Sequence, residues 1–176
     1  ESYYAIFFMN GDNMGAWLTG GNAGEEAKYD MPYQNSFHPA LQSKLNGVKD
    51  GTTFKQYLKS YRAVSPARHL AVSGALNSFA LHLARYIVEE CYMGKLLYAG
   101  GDDVMAMVTV KDLLPCIYAL RMAYSGVAPA EATTLGKQLV NLENLALGGG
   151  HAFLNGHLYR TMGHKATASV GAVIAH

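Results

Sequence analysis

Runs of apolar residues predict four β-strands along the chain. The first run, Tyr3 to Met9, is almost continuously aromatic and β-branched, which is typical of a central strand buried on both faces. Gly94 to Val108 contains two apolar runs around Gly-Gly-Asp-Asp, and this pattern predicts a hairpin because glycine tolerates backbone angles that other residues avoid. The last run, Ala166 to Ala175, alternates and predicts a half-polar strand with Thr167 and Ser169 on its polar face.

Between these runs, the apolar positions follow a helical spacing. Ser65 and Pro66 form a typical N-cap and first helical residue, so we predict a helix from there to about Tyr92. Its apolar stripe recurs at spacings of three and four residues: Val72, Leu76, Phe79, Leu83 and Ile87. A second helix is predicted after Lys111, with an apolar side made of Ile117, Leu120 and Tyr124.

The order strand, helix, hairpin, helix, strand predicts an α+β fold of the ferredoxin-like βαββαβ type. In this fold an antiparallel four-stranded sheet carries both helices on one face. The first strand and the hairpin are then neighbours in the sheet, which brings the turn at Asn10 to Asp12 beside Asp102 and Asp103.

Two segments lie outside this pattern in the predicted single domain, residues 1–176. A polar stretch at about 19–64 is predicted to be a long insertion after the first strand, with short helices near Pro39 to Leu45 and Thr53 to Ser60. Residues at about 126–163 are predicted to be a variable loop in which Leu135 to Leu147 is helical. Because the chain starts at Glu1 without a methionine and has apolar strands at both ends, we interpret it as a piece of a larger protein.

The two turns carry the candidate chemistry. Adjacent carboxylates at a glycine-lined tip, as at Asp102 and Asp103, supply the oxygen ligands that Mg²⁺ prefers, and Asp12 adds a third carboxylate. Because strand side chains alternate, only one of the adjacent pair is expected to point above the sheet unless the turn is irregular. Aspartate and glycine are also ordinary turn residues, so the hairpin alone leaves an acidic turn and a metal site equally open, and the turn with Asp12 alone favours an ordinary turn.

Composition and charge exclude several classes of function. The formal net charge is +1 and only 15% of residues are charged, so we expect no direct binding of duplex DNA. No apolar run has the length of a membrane span, and we expect a soluble, cytoplasmic protein that does not contact a membrane. Cys91 and Cys116 lack a CxxC spacing and the histidines lack a metal-ligand spacing, which argues against a zinc site.

Four motifs occur in an order that resembles a known family. They are NGDNMG after the first strand, SPARHLAVSGALNSFALHLARYIVEE in the long helix, GKLLYAGGDDVMAMV in the hairpin and MGHKATASVGAVIAH at the end. Together they resemble the polymerase/cyclase-type palm domain of the large subunit of type III CRISPR effector complexes, most like the III-B (Cmr) branch. The match covers both ends and the middle of the chain.

The resemblance implies a domain related to nucleotide cyclases and one of two palm modules in its subunit. In that family, target RNA recognition by the assembled complex switches on synthesis of cyclic oligoadenylates from ATP. The implied activity is a nucleotidyltransferase that uses Mg²⁺ or Mn²⁺ for two-metal phosphoryl transfer. The implied partners are ATP, the second palm module, the other complex subunits and, through the assembly, crRNA and target RNA.

The resemblance also assigns roles to individual residues. It implies a main metal ligand at Asp102, with further carboxylates at the metal and catalytic site from Asp103 and Asp12. It implies that the nucleotide is bound by small and polar residues: Gly11, Gly100, Gly101, Ser73 and Asn77. From the sequence itself, Ser73 and Asn77 are better explained as the polar flank of a closely packed helix than as nucleotide ligands.

Asn10 departs from the family pattern, in which an aspartate usually holds the cation at this position. An amide is neutral and offers one carbonyl oxygen, so it stabilises a cation less than a carboxylate does. Four explanations stay open: Asp12 takes over, metal binding is weakened, the chain was altered deliberately, or this is a silent or nucleotide-binding palm. The alternatives to a cyclase are therefore a non-catalytic structural or nucleotide-sensing palm, and a stand-alone GGDEF-like or minimal CRISPR polymerase.

Overall fold

Two antiparallel sheets hold the seven strands found in the described residues of the computed structural model, which are 3–21, 26–29, 32–47, 52–128 and 142–176. The strands are β1 (Tyr4–Gly11), β2 (Gly94–Gly100), β3 (Asp103–Thr109), β4 (Leu145–Gly148), β5 (His151–Leu154), β6 (His157–Arg160) and β7 (Ala168–Ala175). The larger sheet has the order β2-β3-β1-β7, and the smaller one has the order β4-β5-β6.

Six α-helices are described between the strands. They are α1 (Met14–Thr19), α2 (Glu26–Tyr29), α3 (Pro39–Asn46), α4 (Thr52–Lys59), α5 (Pro66–Ser78) and α6 (Leu113–Ser125). Short 3₁₀ turns occur at Tyr33–Ser36 and at Val110–Asp112, directly before α6. None of the described helices is both long and apolar enough to cross a membrane.

The larger sheet confirms the predicted ferredoxin-like α+β fold. Phe7 and Met9 of β1 are fully buried, whereas Phe8 between them is 46% exposed, because alternate side chains point to opposite faces. The helical side of the sheet is covered by α6 and by the helical segment that follows α5, and the opposite side is open. This open side is the face on which polar groups at the strand ends remain accessible.

The long helix has the predicted extent but not a uniform geometry. Its N-cap is confirmed, because Ser65 Oγ accepts a hydrogen bond from Arg68 N at 3.3 Å. After α5 the chain continues in π-helical turns at Phe79–Leu83 and Tyr86–Cys91. A spacing of three and four residues cannot distinguish such wider turns from an α-helix, since both place similar positions on the buried side.

Three short strands lie where a variable loop with a helix was predicted. The predicted helix is wrong at its C-terminal end, where 145–147 belong to β4, and its residues 135–141 lie outside the described residues. Both hairpins of the small sheet turn through residues with positive φ, and Asn155 (49°) and Gly156 (83°) form the second turn. An Asn-Gly pair between apolar residues is a strong hairpin signal, and the prediction of a loop here did not take it into account.

The structure divides into two compact units, residues 1–12 with 73–176, and residues 13–72. The second unit contains the region predicted as an insertion, and its helices α3 and α4 lie where short helices were predicted. The buried guanidinium of Arg68 donates to the carbonyl oxygens of Trp17 (3.1 Å) and Tyr29 (3.0 Å) within this unit. A buried cation bonded in this way ties distant parts of the unit together. The assignment of residues 1–176 to one domain stays a prediction.

Candidate functional site

The acidic turns after β1 and between β2 and β3 are joined at one end of the larger sheet. Gly11 N donates to the carbonyl oxygen of Asp102 at 3.2 Å, which links the two turns directly. Asp12 N donates to the carbonyl oxygen of Thr167 at 2.9 Å, which links the first turn to the start of β7. The neighbourhood of Asn10 to Asp12 and Asp102 to Asp103 that the topology predicted is therefore present.

The hairpin tip is a two-residue turn that leaves its backbone open. Gly100 pairs with Asp103, and Gly101 between them has a φ of 60°. A positive φ at the first central residue is typical of a type II′ turn and favours glycine there. A β-carbon built at Gly101 would meet no atom within 4 Å, so the space beside this backbone is free.

Asn10 and Asp103 point to the open face of the sheet and contact each other. The amide of Asn10 donates from Nδ2 to Oδ1 of Asp103 at 2.6 Å. This bond uses one carboxylate oxygen of Asp103 and turns the amide NH₂ group, which cannot bind a cation, toward the carboxylate.

Asp12 is held by two hydroxyl groups near the start of β7. Its Oδ2 accepts from Thr167 Oγ1 and its Oδ1 accepts from Ser169 Oγ, each at 2.6 Å. These hydrogen bonds, with the Ser169 bond the larger contribution, hold the pKa of the Asp12 carboxyl below its ordinary value because they stabilise the charged form. Asp12 is therefore an oriented and ionised carboxylate at neutral pH.

We expect Ser169→Ala to raise the pKa of Asp12 toward its ordinary value. The folded pKa lies below the unfolded one, so ionised Asp12 contributes stability above about pH 4 and loses it as the pH falls through the folded value. A carboxyl-detected NMR titration of Asp12 measures this shift. Ser78→Ala is the matched control, because Ser78 Oγ donates to the carbonyl oxygen of Gly74 and not to a carboxylate. An unchanged Asp12 pKa in Ser169→Ala would contradict the assignment.

Gly11 lies between the acidic turns and the buried side chain of Tyr124. A β-carbon built at Gly11 would overlap the Tyr124 hydroxyl and come within 2.8 Å of Asp102 Cβ. Glycine is required here because only a hydrogen atom fits between the two side chains. The role of Gly11 that the geometry supports is thus close packing of the two turns.

The predicted nucleotide-binding residues of the long helix have no polar contact of their own. Ser73 and Asn77 are exposed on α5 and make no side-chain hydrogen bond within the described residues, so their role toward a nucleotide stays a prediction. The alternation of polar residues in the sequence predicts that Thr167 and Ser169 share a strand face, but it does not indicate that they bind Asp12. No other feature of the sequence points to that role.

The side-chain oxygens at the two turns are of the chemical type that binds hard cations. Carboxylate and amide oxygens are the ligands that Mg²⁺ and Mn²⁺ prefer. Within the described ranges, however, no three His, Cys, Asp or Glu side chains converge in a metal-binding arrangement. Suitable oxygens are therefore supplied near one another by Asp12, Asp102 and Asp103, but these side chains do not form a complete metal-binding arrangement.

The fold and the joined turns define a palm-type domain, in which an antiparallel sheet presents acidic turns at one end. Comparison with known families agrees with this class: the family model described as "Cas10/Cmr2, second palm domain" matches residues 3–176 of the chain. The chain belongs to the Cas10/Cmr2 family and corresponds to its second palm domain. The resemblance stated from the motifs is confirmed.

Individual relatives agree with the family assignment. The chain is 33% identical over 122 residues to the CRISPR system Cmr subunit Cmr2 of Pyrococcus furiosus, a match that covers 69% of this chain and 12% of the relative. It is 32% identical over 124 residues to the CMR subunit Cmr2 of Saccharolobus solfataricus, covering 70% and 11%. The chain thus spans about an eighth or less of the length of these relatives.

A solved structure shares the fold. A chain of the type III-B Cmr-beta complex, determined by cryo-EM in the apo state, superposes with a TM-score of 0.60 at 20% identity. The match covers 99% of this chain and 22% of that chain. At this identity, the similarity establishes the common fold.

Proposed function

We propose that the chain acts in type III CRISPR defence as the second palm domain of a Cmr2-type subunit, where it binds ATP and a divalent cation for cyclic oligoadenylate synthesis. Its relatives are named as Cmr subunits, which supports other Cmr subunits as partners. Through such an assembly the domain would respond to target RNA paired with crRNA, and it would act together with the other palm module.

The junction of the two acidic turns carries this proposal. The Asp102 carboxylate makes no hydrogen bond or ion pair within the described residues, so its oxygens are available to a cation. Asp103 has one oxygen outside its bond with Asn10, and the open backbone at Gly101 leaves room for a nucleotide. When bound, Mg²⁺ or Mn²⁺ would neutralise the triphosphate charge and promote in-line attack of a ribose 3′-hydroxyl on the α-phosphorus of ATP, with pyrophosphate as the leaving group.

A non-catalytic, nucleotide-sensing palm is the second candidate, and the bond between Asn10 and Asp103 favours it. The aspartate of the family pattern would place a second negative charge beside Asp103, whereas the amide of Asn10 is neutral and donates a hydrogen bond to Asp103. Asp12 has a hydroxyl donor on each oxygen, which reduces the charge it offers to a cation. Fewer strong ligands mean weaker cation binding and slower phosphoryl transfer.

Asn10→Asp separates the two candidates. We expect it to strengthen Mn²⁺-dependent ATP binding by about tenfold, or 1.4 kcal/mol, because a carboxylate replaces a neutral amide at the cation. Without a cation the variant is expected to be less stable, since two carboxylates then repel each other. Calorimetric titration with ATP, with and without Mn²⁺, measures the affinity.

The matched control is Asn155→Asp, which makes the same chemical change in the turn between β5 and β6. It is expected to leave ATP affinity unchanged. Equal affinities for the unchanged chain and Asn10→Asp would show that position 10 is not a ligand position. ATP binding that does not depend on a cation in either chain would favour the nucleotide-sensing palm.

A further inference from the structure

Tyr124, near the end of α6, carries a buried hydroxyl group that has no hydrogen-bond partner among the described residues. Its side chain is 1% exposed, and its ring packs edge to face on Phe79 with centroids 5.2 Å apart. The carbonyl oxygen of Tyr124 also accepts from Met162 N at 3.1 Å. The ring is therefore fixed, and the hydroxyl cannot move far to find an acceptor.

The hydroxyl lies directly beneath the junction of the acidic turns. It occupies the space next to the Cα of Gly11, close to Asp102 Cβ. Burial, and then the nearby charges of Asp102, Asp12 and Asp103, raise the pKa of Tyr124, so the group keeps its proton and remains a donor. The charged groups that face this donor are thus carboxylates.

Of these carboxylates, Asp102 is the one on which neither oxygen accepts a hydrogen bond from a described residue. Asp12 accepts hydrogen bonds on both oxygens, and Asp103 accepts one from Asn10. Among the described residues, the Asp102 carboxylate has no such partner. An unpaired buried donor therefore lies beside an unpaired carboxylate, an arrangement that costs stability until the two groups meet.

We infer that Tyr124 is a positioning residue of this site: its hydroxyl donates a hydrogen bond to one oxygen of Asp102 in the cation-bound state and aims the other oxygen at the cation. This inference rests on the proposed function. The inference requires only the Asp102 side chain to rotate, because its Cβ lies on the same side of Gly11 as the hydroxyl and Gly11 N holds the backbone through the Asp102 carbonyl oxygen. Partners that orient a metal ligand typically contribute strongly to metal affinity.

Tyr124→Phe tests the inference, because it removes the hydroxyl and keeps the ring on Phe79. We expect it to weaken Mn²⁺ binding, measured with Mn²⁺ alone by electron paramagnetic resonance, by about tenfold. The rise in unfolding temperature on adding Mn²⁺ should shrink correspondingly, whereas the unfolding temperature without metal should be unchanged or higher. A purely structural role would instead lower stability without metal and leave Mn²⁺ affinity unchanged.

Tyr92→Phe is the matched control, since Tyr92 has the other buried hydroxyl without a partner in the described part of the chain. Tyr92 precedes β2 and lies at the opposite end of the sheet, so this change should not affect Mn²⁺ binding. Equal Mn²⁺ affinities in Tyr124→Phe and the unchanged chain would overturn the inference alone. No Mn²⁺ binding by the unchanged chain would overturn the proposed function, and the inference with it.

Discussion

Replacing Asp102 by alanine is expected to abolish divalent-dependent ATP binding while leaving the fold intact. Even an outer partner of a metal ligand typically contributes 10–100-fold to metal affinity, so loss of the main carboxylate should weaken binding by more than about a hundredfold. The side chain lies in a turn, and the hydrogen bond that Asp102 accepts from Gly11 N uses its backbone, which alanine retains. Stability without metal should be equal or higher, because one of several neighbouring negative charges is removed.

Calorimetry with ATP and Mn²⁺, together with thermal unfolding, measures both parts of this prediction. Glu90→Ala is the matched control, because Glu90 is an exposed carboxylate near the opposite end of the sheet. It removes the same charge and should leave binding unchanged. A folded Asp102→Ala chain with undiminished Mn²⁺-dependent ATP affinity would refute the assignment of Asp102 as a metal ligand.

Of the variants proposed for this chain, Gly11→Ala is expected to lose the most stability, about 1–3 kcal/mol in the free energy of unfolding. The new β-carbon would overlap the Tyr124 hydroxyl and approach Asp102 Cβ to 2.8 Å. Neither neighbour can easily move, since the Tyr124 ring packs on Phe79 and the Asp102 backbone belongs to the hairpin turn. Relief of the overlap would separate the two acidic turns, so cation binding should fall as well.

Denaturant unfolding measures this loss of stability. Gly171→Ala is the control, because a β-carbon at Gly171 in the neighbouring strand β7 would meet no atom within 4 Å. Combining Gly11→Ala with Tyr124→Phe should recover part of the stability, since the overlapping oxygen is then absent. Full stability of Gly11→Ala would show that the space between Gly11, Tyr124 and Asp102 can accommodate a methyl group, which contradicts the close packing of the turns.

Local patterns in the sequence were sufficient to predict the larger sheet and the meeting of its acidic turns. The apolar run of β1 and the glycines of the hairpin tip each favour one local structure. The order of elements then leaves few topologies, and in the one observed β1 pairs with both β3 and β7. This is why Asn10, Asp12, Asp102 and Asp103 could be grouped before their positions were known.

Side-chain contacts between distant elements could not be predicted in this way. Tyr124 fits the apolar stripe of α6, and nothing in that stripe indicates that its hydroxyl reaches Gly11. Ser169 pairs with Asp12 only because β7 adds to the sheet beside β1. The short strands β5 and β6 were missed although Asn155 and Gly156 indicate their turn, because four-residue strands give a weak periodic signal.

The most direct test of the joined turns as a cation site is an NMR titration with substoichiometric Mn²⁺, which broadens the signals of nearby nuclei. We expect the backbone amide signals of Gly11, Gly101 and Ser169 to broaden first. The signal of Gly94, at the opposite end of the sheet, should stay sharp. Broadening centred elsewhere, or none at the two turns, would contradict the claim that they form one cation site.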